Sequence, residues 1–243
     1  MNLDPHIHPS AFIGDGVTLG ADVSIGPAAV LVGPLTVGDR VWIGPGAVIG
    51  TPPEISSLHQ DRGWAGEAGH RGVTIGDDVV IRESVTIQQG SHRTTSIGDR
   101  TWLLSASYVA HDGLVGADVT LSAGARLGGH VVVGGFANIG MNATVHQRRI
   151  VGAGAMVGMA TPVARDVPPF AKVFGSPARM HGLNEYVLRK IGASDETIAA
   201  IAAAYGSGRF DLREATQDAA VEEFARWWAT QDAGPTVPAE LEQ

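Results

Sequence analysis

An aliphatic residue returns at every sixth position from residue 13 to residue 163, and this repeat limits the possible folds more than any other feature of the chain. A period of six fits neither a helix nor an ordinary strand. It is typical of a chain in which each six-residue unit, or hexad, forms a short strand and a turn, and in which the hexads stack into a parallel β-helix. Glycine often follows the aliphatic residue, and we expect it to permit the backbone geometry of the corners. The phased residues are Ile13, Leu19, Ile25, Leu31, Val37, Ile43, Ile49, Ile75, Ile81, Ile87, Ile97, Leu103, Val109, Val115, Leu121, Leu127, Val133, Ile139, Val145, Val151, Val157 and Val163.

Two segments interrupt the repeat, at residues 50–72 and 88–95. The first is rich in glycine and proline, and the repeat resumes after each of them. We therefore expect two loops that project from one continuous solenoid, here called the first loop and the second loop. Long loops inside a compact domain are more often functional than not.

The repeat is expected to stop at Val167-Pro168-Pro169, after which the apolar period becomes helical. The sequence thus predicts an all-β solenoid plus α architecture. Its domains are a hexapeptide-repeat β-helix over 1–170, a helical domain over 171–231 and a disordered tail over 232–243. Helices are expected at about 184–191, 195–205 and 212–230, the second one capped by Ser194.

Composition limits the class of protein. The net charge of −8 argues against a nucleic-acid partner. The start of the chain does not resemble a signal peptide, and no apolar run approaches the roughly 20 residues that span a bilayer. We therefore expect a cytoplasmic protein with no membrane span. Residues 120–192 are locally basic and could receive an acidic protein or a phosphate group.

Three histidines are predicted to share one wall of the β-helix. With three hexads in a coil, residues 18 apart stack on one another, as at Val109, Leu127 and Val145. His111, His130 and His146 follow these three positions by one to three residues, on adjacent coils about 4.8 Å apart. Imidazole suits proton transfer near neutral pH. A metal site is the rival interpretation, which we disfavour because the staggered offsets do not obviously converge.

Several segments resemble the family of acyl-carrier-protein-dependent UDP-N-acetylglucosamine O-acyltransferases, which open lipid A synthesis. The resemblance covers nearly the whole chain, and its most specific parts are AHD, GGH and VHQ in this order and spacing. The segments that carry it are IRESVTIQQG (81–90), YVAHD (108–112), GGHVVVGGFANIG (128–140), ATVHQ (143–147), VARDVPPF (163–170) and HGLNEYVLRK (181–190).

The resemblance implies a left-handed β-helix, an exception to the usual right-handed crossover rule. It also implies a homotrimer with active sites in the clefts between subunits. The acyl donor would be carried on the phosphopantetheine of acyl carrier protein, with no other cofactor and no metal. The acceptor would be the 3-hydroxyl of UDP-N-acetylglucosamine, and the acyl group could carry a 3-hydroxyl of its own.

The resemblance also implies roles for individual residues. His111 matches the general base, Asp112 its acidic partner, and the Gly129 N–H the oxyanion donor. Met159 matches the position that limits acyl-chain length, where a large side chain predicts a shorter chain. The residues that match substrate contacts are Asp61, His130, His146, Gln147, Asn184 and Lys190, and Arg189 is a candidate to replace a lost nucleotide contact. Arg126, Arg148 and Arg149 are candidates for docking the acidic carrier protein.

The chain departs from the family pattern mainly where the nucleotide would bind. Gly63 replaces a lysine, Gln88-Gln89 replaces His-Arg, Tyr186 replaces an acidic residue, and Ile191 replaces a basic one. Each lost charged contact could cost roughly 1.5–3 kcal/mol. Alternative interpretations therefore remain open: the same acyl transfer to another sugar nucleotide, an amino sugar or a natural-product intermediate, a non-catalytic scaffold, and a metal-dependent hydratase.

Overall fold

The computed structural model describes residues 7–58 and 70–238. In this part of the chain, short strands stack into a parallel β-solenoid of about eight turns, followed by a few helices. The fold class predicted from the six-residue repeat is therefore confirmed.

The strands of the solenoid form three faces, and each face is a sheet in which successive coils are hydrogen-bonded. The first face contains β1 (Phe12–Ile13), β4 (Val30–Leu31), β7 (Val48–Thr51), β10 (Thr86–Gln88), β13 (Tyr108–Val109), β16 (Arg126–Leu127), β19 (Thr144–Val145) and β22 (Pro162–Val163). The second face contains β2 (Val17–Leu19), β5 (Leu35–Val37), β8 (Val73–Ile75), β11 (Thr95–Ile97), β14 (Leu114–Val115), β17 (Val132–Val133) and β20 (Ile150–Val151). The third face contains β3 (Ser24–Ile25), β6 (Trp42–Ile43), β9 (Val80–Ile81), β12 (Trp102–Leu103), β15 (Thr120–Leu121), β18 (Asn138–Ile139), β21 (Met156–Val157), β23 (Ala171–Phe174) and β24 (Arg179–Leu183).

The register of the first face confirms the predicted stacking of residues 18 apart. Val109 pairs with Leu127, and Leu127 pairs with Val145, all in parallel strands. These side chains point into the solenoid, where Val109 and Leu127 are fully buried. Burying such a side chain stabilises the fold by roughly 1.5–3 kcal/mol. The repeated aliphatic position is therefore the main source of the core.

Both interruptions are loops that leave the solenoid and return to it. Val37 pairs directly with Ile75, so the first loop is excluded from the coil between them. Ile75 in turn pairs with Ile97 in spite of the second loop. The loops therefore change the sequence separation between neighbouring coils and leave their stacking intact.

The glycine that follows the aliphatic residue has a different role from the one expected. Positive φ occurs two residues later, at Asp112, His130 and similar corner positions. At Gly98, by contrast, a Cβ would lie 2.5 Å from the backbone nitrogen of Ala117 on the next coil, and Gly116 is equally crowded. Glycine is needed there because neighbouring coils approach closely, and the expectation about corner geometry was wrong.

Helices cover the C-terminal end of the solenoid. They are α1 (Glu185–Lys190), α2 (Asp195–Gly206), α3 (Leu212–Ala215) and α4 (Ala219–Ala229). Ser194 caps α2 as predicted, with its side chain accepting from the Thr197 N–H. Phe224 of α4 packs against Phe170, with ring centroids 5.2 Å apart. None of the helices within residues 7–58 and 70–238 is long and apolar enough to cross a bilayer.

The solenoid and the tail both extend further than the sequence predicted. Strand β23 continues the third face past the two prolines by pairing with β21, and β24 then adds an antiparallel strand. The expectation of disorder from Asp232 is wrong for residues 232–238, because Val237 is buried and its N–H donates to the Asp166 carbonyl. Residues 239–243 lie outside the described residues.

Candidate active site

The candidate catalytic side chains lie at the corner between the first and second faces. His111 and Asp112 follow β13, and Gly129 and His130 follow β16 one coil further on. Asp112 and His130 occupy equivalent corner positions, each with a φ of 62°. The His130 N–H donates to the His111 carbonyl at 3.0 Å. The coil register therefore brings these two pairs together.

His111 and Asp112 form a hydrogen-bonded pair. The distance from His111 Nδ1 to Asp112 Oδ2 is 2.6 Å. An ionised carboxylate can only accept hydrogen bonds, so the Nδ1–H of His111 must be the donor. In the neutral ring this leaves the lone pair on Nε2. The pairing therefore prepares Nε2 to accept a proton.

Residues of the second loop hold the Asp112 carboxylate in place. Oδ1 accepts the backbone N–H groups of Ser91, His92 and Arg93 at 3.0, 2.7 and 2.8 Å. Oδ2 also accepts the Ser91 hydroxyl at 2.6 Å. Burial alone would raise the pKa of Asp112, but these hydrogen bonds and the one from His111 outweigh it and hold that pKa well below its usual range. Asp112 is therefore an anchored anion.

Gly129 lies directly against the His111 imidazole. A Cβ at this position would be 2.5 Å from His111 Cε1 and 2.6 Å from Nε2. Any larger residue would displace the ring from its bond to Asp112. Among the described residues the Gly129 N–H has no hydrogen-bond acceptor. Gly129 thus gives His111 space and leaves a free N–H donor beside it.

His130 is the second histidine of this corner. Its ring meets the edge of the His111 ring, with centroids 5.1 Å apart, and its Nε2 is 3.6 Å from Asp112 Oδ2. Burial lowers the pKa of His130; the Asp112 carboxylate opposes this shift, and the positive charge of Arg148 adds to it. A neutral His130 beside His111 is favoured at neutral pH.

His146 and Gln147 lie at the same corner, one coil further on, and both are exposed. The His146 N–H donates to the Val163 carbonyl, and its ring Nδ1 lies 3.1 Å from the Gln147 carbonyl oxygen. The three histidines therefore share one corner on adjacent coils, as predicted. Within the described residues, the ring contacts at this corner join His111 to His130 and His130 to His92, and none involves His146.

An open groove of about 530 Å³ lies on the first face beside this corner. Tyr108, which lines it, donates its hydroxyl to Glu54 at 3.0 Å. Gly128, the neighbour of Gly129, also lines it. The lining residues are Glu54, Thr86, Tyr108, Arg126, Leu127, Gly128, Thr144 and Val145. The groove therefore lies next to the segment that carries Gly129.

The predicted nucleotide contacts around α1 are engaged within the protein. The Asn184 side-chain amide is buried and donates to the Gly154 carbonyl at 2.8 Å. The Arg189 guanidinium pairs with Glu185 and Asp195. Lys190 Nζ lies 5.6 Å from the centre of the Phe136 ring. Asp61 lies outside the described residues.

The glutamines that replace the family's His-Arg pair are structural in this chain. Both Gln88 and Gln89 are buried. Gln89 Nε2 donates to the carbonyls of Gly33 and Gly50, and Gln88 Oε1 accepts the Glu54 N–H. They fasten the start of the first loop to the solenoid.

The remaining predicted residues have different surroundings. Met159 is 71% exposed, so it does not pack between coils within this chain. Arg126 and Arg148 are exposed near the groove and the corner. Arg149 lies 3.5 Å from the buried carboxylate of Asp166, whose charge it offsets. Arg149 is therefore a weaker docking candidate than the sequence suggested.

The second loop is part of this site, although the sequence pattern does not indicate it. Ser91 and His92 have no repeat pattern to mark them, and their contacts with Asp112 depend on how the loop folds back over the corner. The side chains of His92, Asp112 and His130 each offer a donor atom within 4.8 Å of the others. Within residues 7–58 and 70–238 this is the set of metal-binding groups that converges, and it contains neither His111 nor His146.

Comparisons with known proteins agree on one family. Residues 166–232 match the family model described as UDP N-acetylglucosamine O-acyltransferase, domain 2. An acyl-[acyl-carrier-protein]–UDP-N-acetylglucosamine O-acyltransferase from Alkalilimnicola ehrlichii is 42% identical over 149 residues, which are 60% of this chain and 57% of the relative. The chain thus aligns with little more than half the length of that curated relative.

Solved structures of similar proteins cover nearly the whole chain. A UDP-N-acetylglucosamine acyltransferase from Campylobacter jejuni has a TM-score of 0.77 and 25% identity, covering 98% of both chains. The Francisella novicida protein of the same name has a TM-score of 0.68 and 27% identity, covering 100% of this chain and 97% of its own. The similarity therefore includes the solenoid and the C-terminal helices.

Proposed function

We propose that this chain, which is similar to UDP-N-acetylglucosamine O-acyltransferases, moves an acyl or 3-hydroxyacyl group from acyl carrier protein to the 3-hydroxyl of UDP-N-acetylglucosamine. The acyl group would arrive as a thioester on the phosphopantetheine of the carrier, with no further cofactor. The proposal includes a cytoplasmic location for this reaction. The single observation that carries the proposal is the 2.6 Å bond between His111 Nδ1 and the anchored Asp112 carboxylate.

In the proposed reaction His111 Nε2 removes the proton from the sugar hydroxyl as its oxygen attacks the thioester carbonyl. The charge that develops on the carbonyl oxygen is met by the Gly129 N–H, which has no acceptor of its own in the described residues. The Asp112 carboxylate stabilises the imidazolium that forms. When the intermediate collapses, the C–S bond breaks and His111 returns its proton to the phosphopantetheine thiolate.

Replacing His111 by alanine tests this assignment. Positioned general acid–base groups contribute roughly 10²–10⁴-fold to rate, so His111→Ala should lower kcat by that factor with acyl carrier protein and UDP-N-acetylglucosamine as substrates. His8→Ala, at the far end of the solenoid, is the matched control and should retain the wild-type rate. Full activity of His111→Ala would refute the base assignment. If wild type and His111→Ala were both inactive with these substrates, the scaffold interpretation would be restored.

Met159 is proposed to limit acyl-chain length. Its exposed side chain leaves it accessible to a ligand on the surface of the solenoid. Met159→Gly should shift the preferred donor towards longer chains, measured as kcat/KM for a series of acyl carrier proteins with different acyl groups. An unchanged preference would contradict this role.

The proposal includes a homotrimer with the active site between subunits, and a carrier protein that docks on the basic surface around Arg126 and Arg148. Charge reversal at Arg126 should raise the KM for acyl carrier protein most strongly at low salt. Sedimentation analysis tests the trimer directly. A monomer with full activity would contradict that part of the proposal.

A second candidate is the same transfer to a different acceptor, such as another sugar nucleotide, an amino sugar or a natural-product intermediate. It is favoured by the contacts around α1, where Arg189 already pairs with Glu185 and Asp195. Calorimetric titration with UDP-N-acetylglucosamine separates the two candidates. Binding at micromolar concentration supports the first, and no heat at millimolar concentration supports the second.

A further inference from the structure

Three metal-binding side chains converge beside the His111–Asp112 pair, and they come from three separate segments. His92 lies on the second loop, Asp112 on one coil and His130 on the next. Their donor atoms all lie within 4.8 Å of one another. The imidazole rings of His92 and His130 have centroids 5.5 Å apart. This arrangement is absent from the sequence pattern and arises from the fold.

The spacing is close to that of a zinc site. With metal–ligand bonds of about 2.0–2.1 Å, tetrahedral ligand atoms are about 3.3 Å apart. His130 Nε2 and Asp112 Oδ2 are already separated by 3.6 Å. The donor atoms lie at most 4.8 Å apart, so the largest gap to close is about 1.5 Å. His92 is exposed on a loop, and rotation of its ring can close this gap.

The ligand set and its surroundings also favour a metal ion. Two imidazoles and one carboxylate suit Zn²⁺ and leave a fourth position for water or substrate. The Asp112 carboxylate is oriented by three backbone N–H groups on Oδ1. His92 Nδ1 lies 2.8 Å from the Ser91 hydroxyl oxygen, which leaves Nε2 as the metal-binding nitrogen. Such outer contacts orient ligands in known metal sites.

We propose that His92, Asp112 and His130 bind Zn²⁺ and that this binding inhibits acyl transfer. The inhibitory part rests on the function proposed above. Asp112 Oδ2 is the atom that accepts the hydrogen bond from His111 Nδ1. A metal ion on the same oxygen competes for that lone pair and releases the His111 ring from its orientation.

Binding is tested without any activity measurement. Competition with a chromogenic zinc chelator gives the Kd of the full-length protein, and Co²⁺ serves as a spectroscopic probe of tetrahedral geometry. We expect wild type and His8→Ala to bind one ion per chain with the same affinity, and His92→Ala to bind at least tenfold more weakly. His8 is a matched control because its ring also lies 2.8 Å from a neighbouring serine hydroxyl, that of Ser10. Equal affinity in wild type and His92→Ala would overturn the site.

Inhibition is measured as a fraction of each variant's own initial rate, so a change in basal rate does not affect the result. Zn²⁺ should inhibit wild type and His8→Ala, a chelator should restore the rate, and His92→Ala should need at least tenfold more Zn²⁺. Initial rates are used because the thiol released on the carrier protein would otherwise compete for Zn²⁺. If Zn²⁺ binds at the site and the rate is unchanged, the inhibitory proposal is wrong. If the protein does not acylate UDP-N-acetylglucosamine at all, the chelator competition still decides whether the metal site exists.

Discussion

The corner that holds His111 and the helix that holds Arg189 differ in how their polar groups are fixed. At the corner, Asp112 is buried and accepts hydrogen bonds from three consecutive backbone N–H groups of the second loop. On α1, the Arg189 side chain is 56% exposed and pairs with carboxylates of its own helical region. The side chains at the corner are held in place by the coils of the solenoid. The exposed side chains of α1 can form ion pairs with different partners.

This difference predicts that substitutions in the two regions will have different effects. A change at the corner disturbs coil stacking as well as reactivity, because the same backbone atoms serve both. A change on α1 alters an exposed surface and costs little stability, since exposed ion pairs contribute only about 0–1 kcal/mol. We therefore expect substitutions at the corner to reduce kcat and substitutions on α1 to act on acceptor binding.

Replacing Asp112 by asparagine should give the largest effect among the predictions that follow. An asparagine side chain can hydrogen-bond to either tautomer of His111, so Nδ1 no longer fixes the lone pair on Nε2. We expect kcat to fall by about 10²–10⁴-fold in a steady-state assay. A wild-type kcat in Asp112→Asn would contradict the role of the pair.

Ser91→Ala provides the control for the structural role of Asp112. It removes one hydrogen bond to the same carboxylate and leaves the bond from His111 untouched. We expect the Tm to fall in both Asp112→Asn and Ser91→Ala. We expect kcat to fall by less than about tenfold in Ser91→Ala. If both variants lose activity equally, loop order accounts for the loss rather than the orientation of His111.

Replacing Gly129 by alanine should have the next largest effect. Its Cβ would lie 2.5 Å from His111 Cε1, so the ring has to move by about 1 Å or more to relieve the contact. Displacements of this size in an active site can lower rates about 100-fold. We expect a fall in kcat of about 10–100-fold with little change in the KM for acyl carrier protein.

Gly206→Ala is the matched control for Gly129→Ala, because no atom lies within 4 Å of the added Cβ at the end of α2. Its kcat should equal that of wild type. A crystal structure of Gly129→Ala with the His111 ring still 2.6 Å from Asp112 would rule out the steric explanation.

The two basic residues at the end of α1 should differ from each other. No carboxylate of the described residues pairs with Lys190, whereas Arg189 has two partners. A charge-assisted contact to a phosphate contributes roughly 1.5–3 kcal/mol, so Lys190→Ala should raise the KM for UDP-N-acetylglucosamine about tenfold or more. Arg189→Ala should change it less than about threefold. Equal effects would show that Arg189 leaves its carboxylates to bind the nucleotide.

The solenoid could be predicted from sequence because its repeat is local and strict. From Ile25 onward each aliphatic position of the hexad becomes a buried residue of the core, so Val109 and Leu127 were placed on adjacent coils from their spacing alone. The positions of His111 and His130 follow from the same register. The role of glycine was misjudged because close approach between coils is a property of the stacked structure and not of a single hexad.

The second loop and the tail could not be predicted in the same way. His92 reaches Asp112 because the loop folds back onto the corner, and no periodic signal encodes that path. Val237 docks on the chain near Asp166 through backbone hydrogen bonds that any sequence could make. The pairing of Arg189 also depends on rotamers of exposed side chains, which spacing does not determine. The spacing of the hexads therefore predicted that His111 and His130 share a corner. It did not predict the contacts of the second loop and the tail.

The smallest expected effect concerns the pH dependence of stability at His130. Burial holds the pKa of this side chain below its ordinary value, so at mildly acidic pH the unfolded chain binds more protons than the native protein. The stability that comes from the uncharged His130 should therefore be fully present above about pH 6.5, the ordinary histidine pKa in the unfolded chain. Part of this stability should be lost as the pH falls through the native pKa. The Asp112 carboxylate opposes the shift, and Arg93, Arg148 and His111 reinforce it, so the net effect is small.

The Tm difference between wild type and His130→Gln should change by about 1 °C between pH 7.5 and pH 5.0, with wild type losing more. His8→Gln should show no such change. A difference that stays constant with pH would mean that His130 titrates alike in the native and unfolded chain, and the corner would then be more solvated than its packing implies.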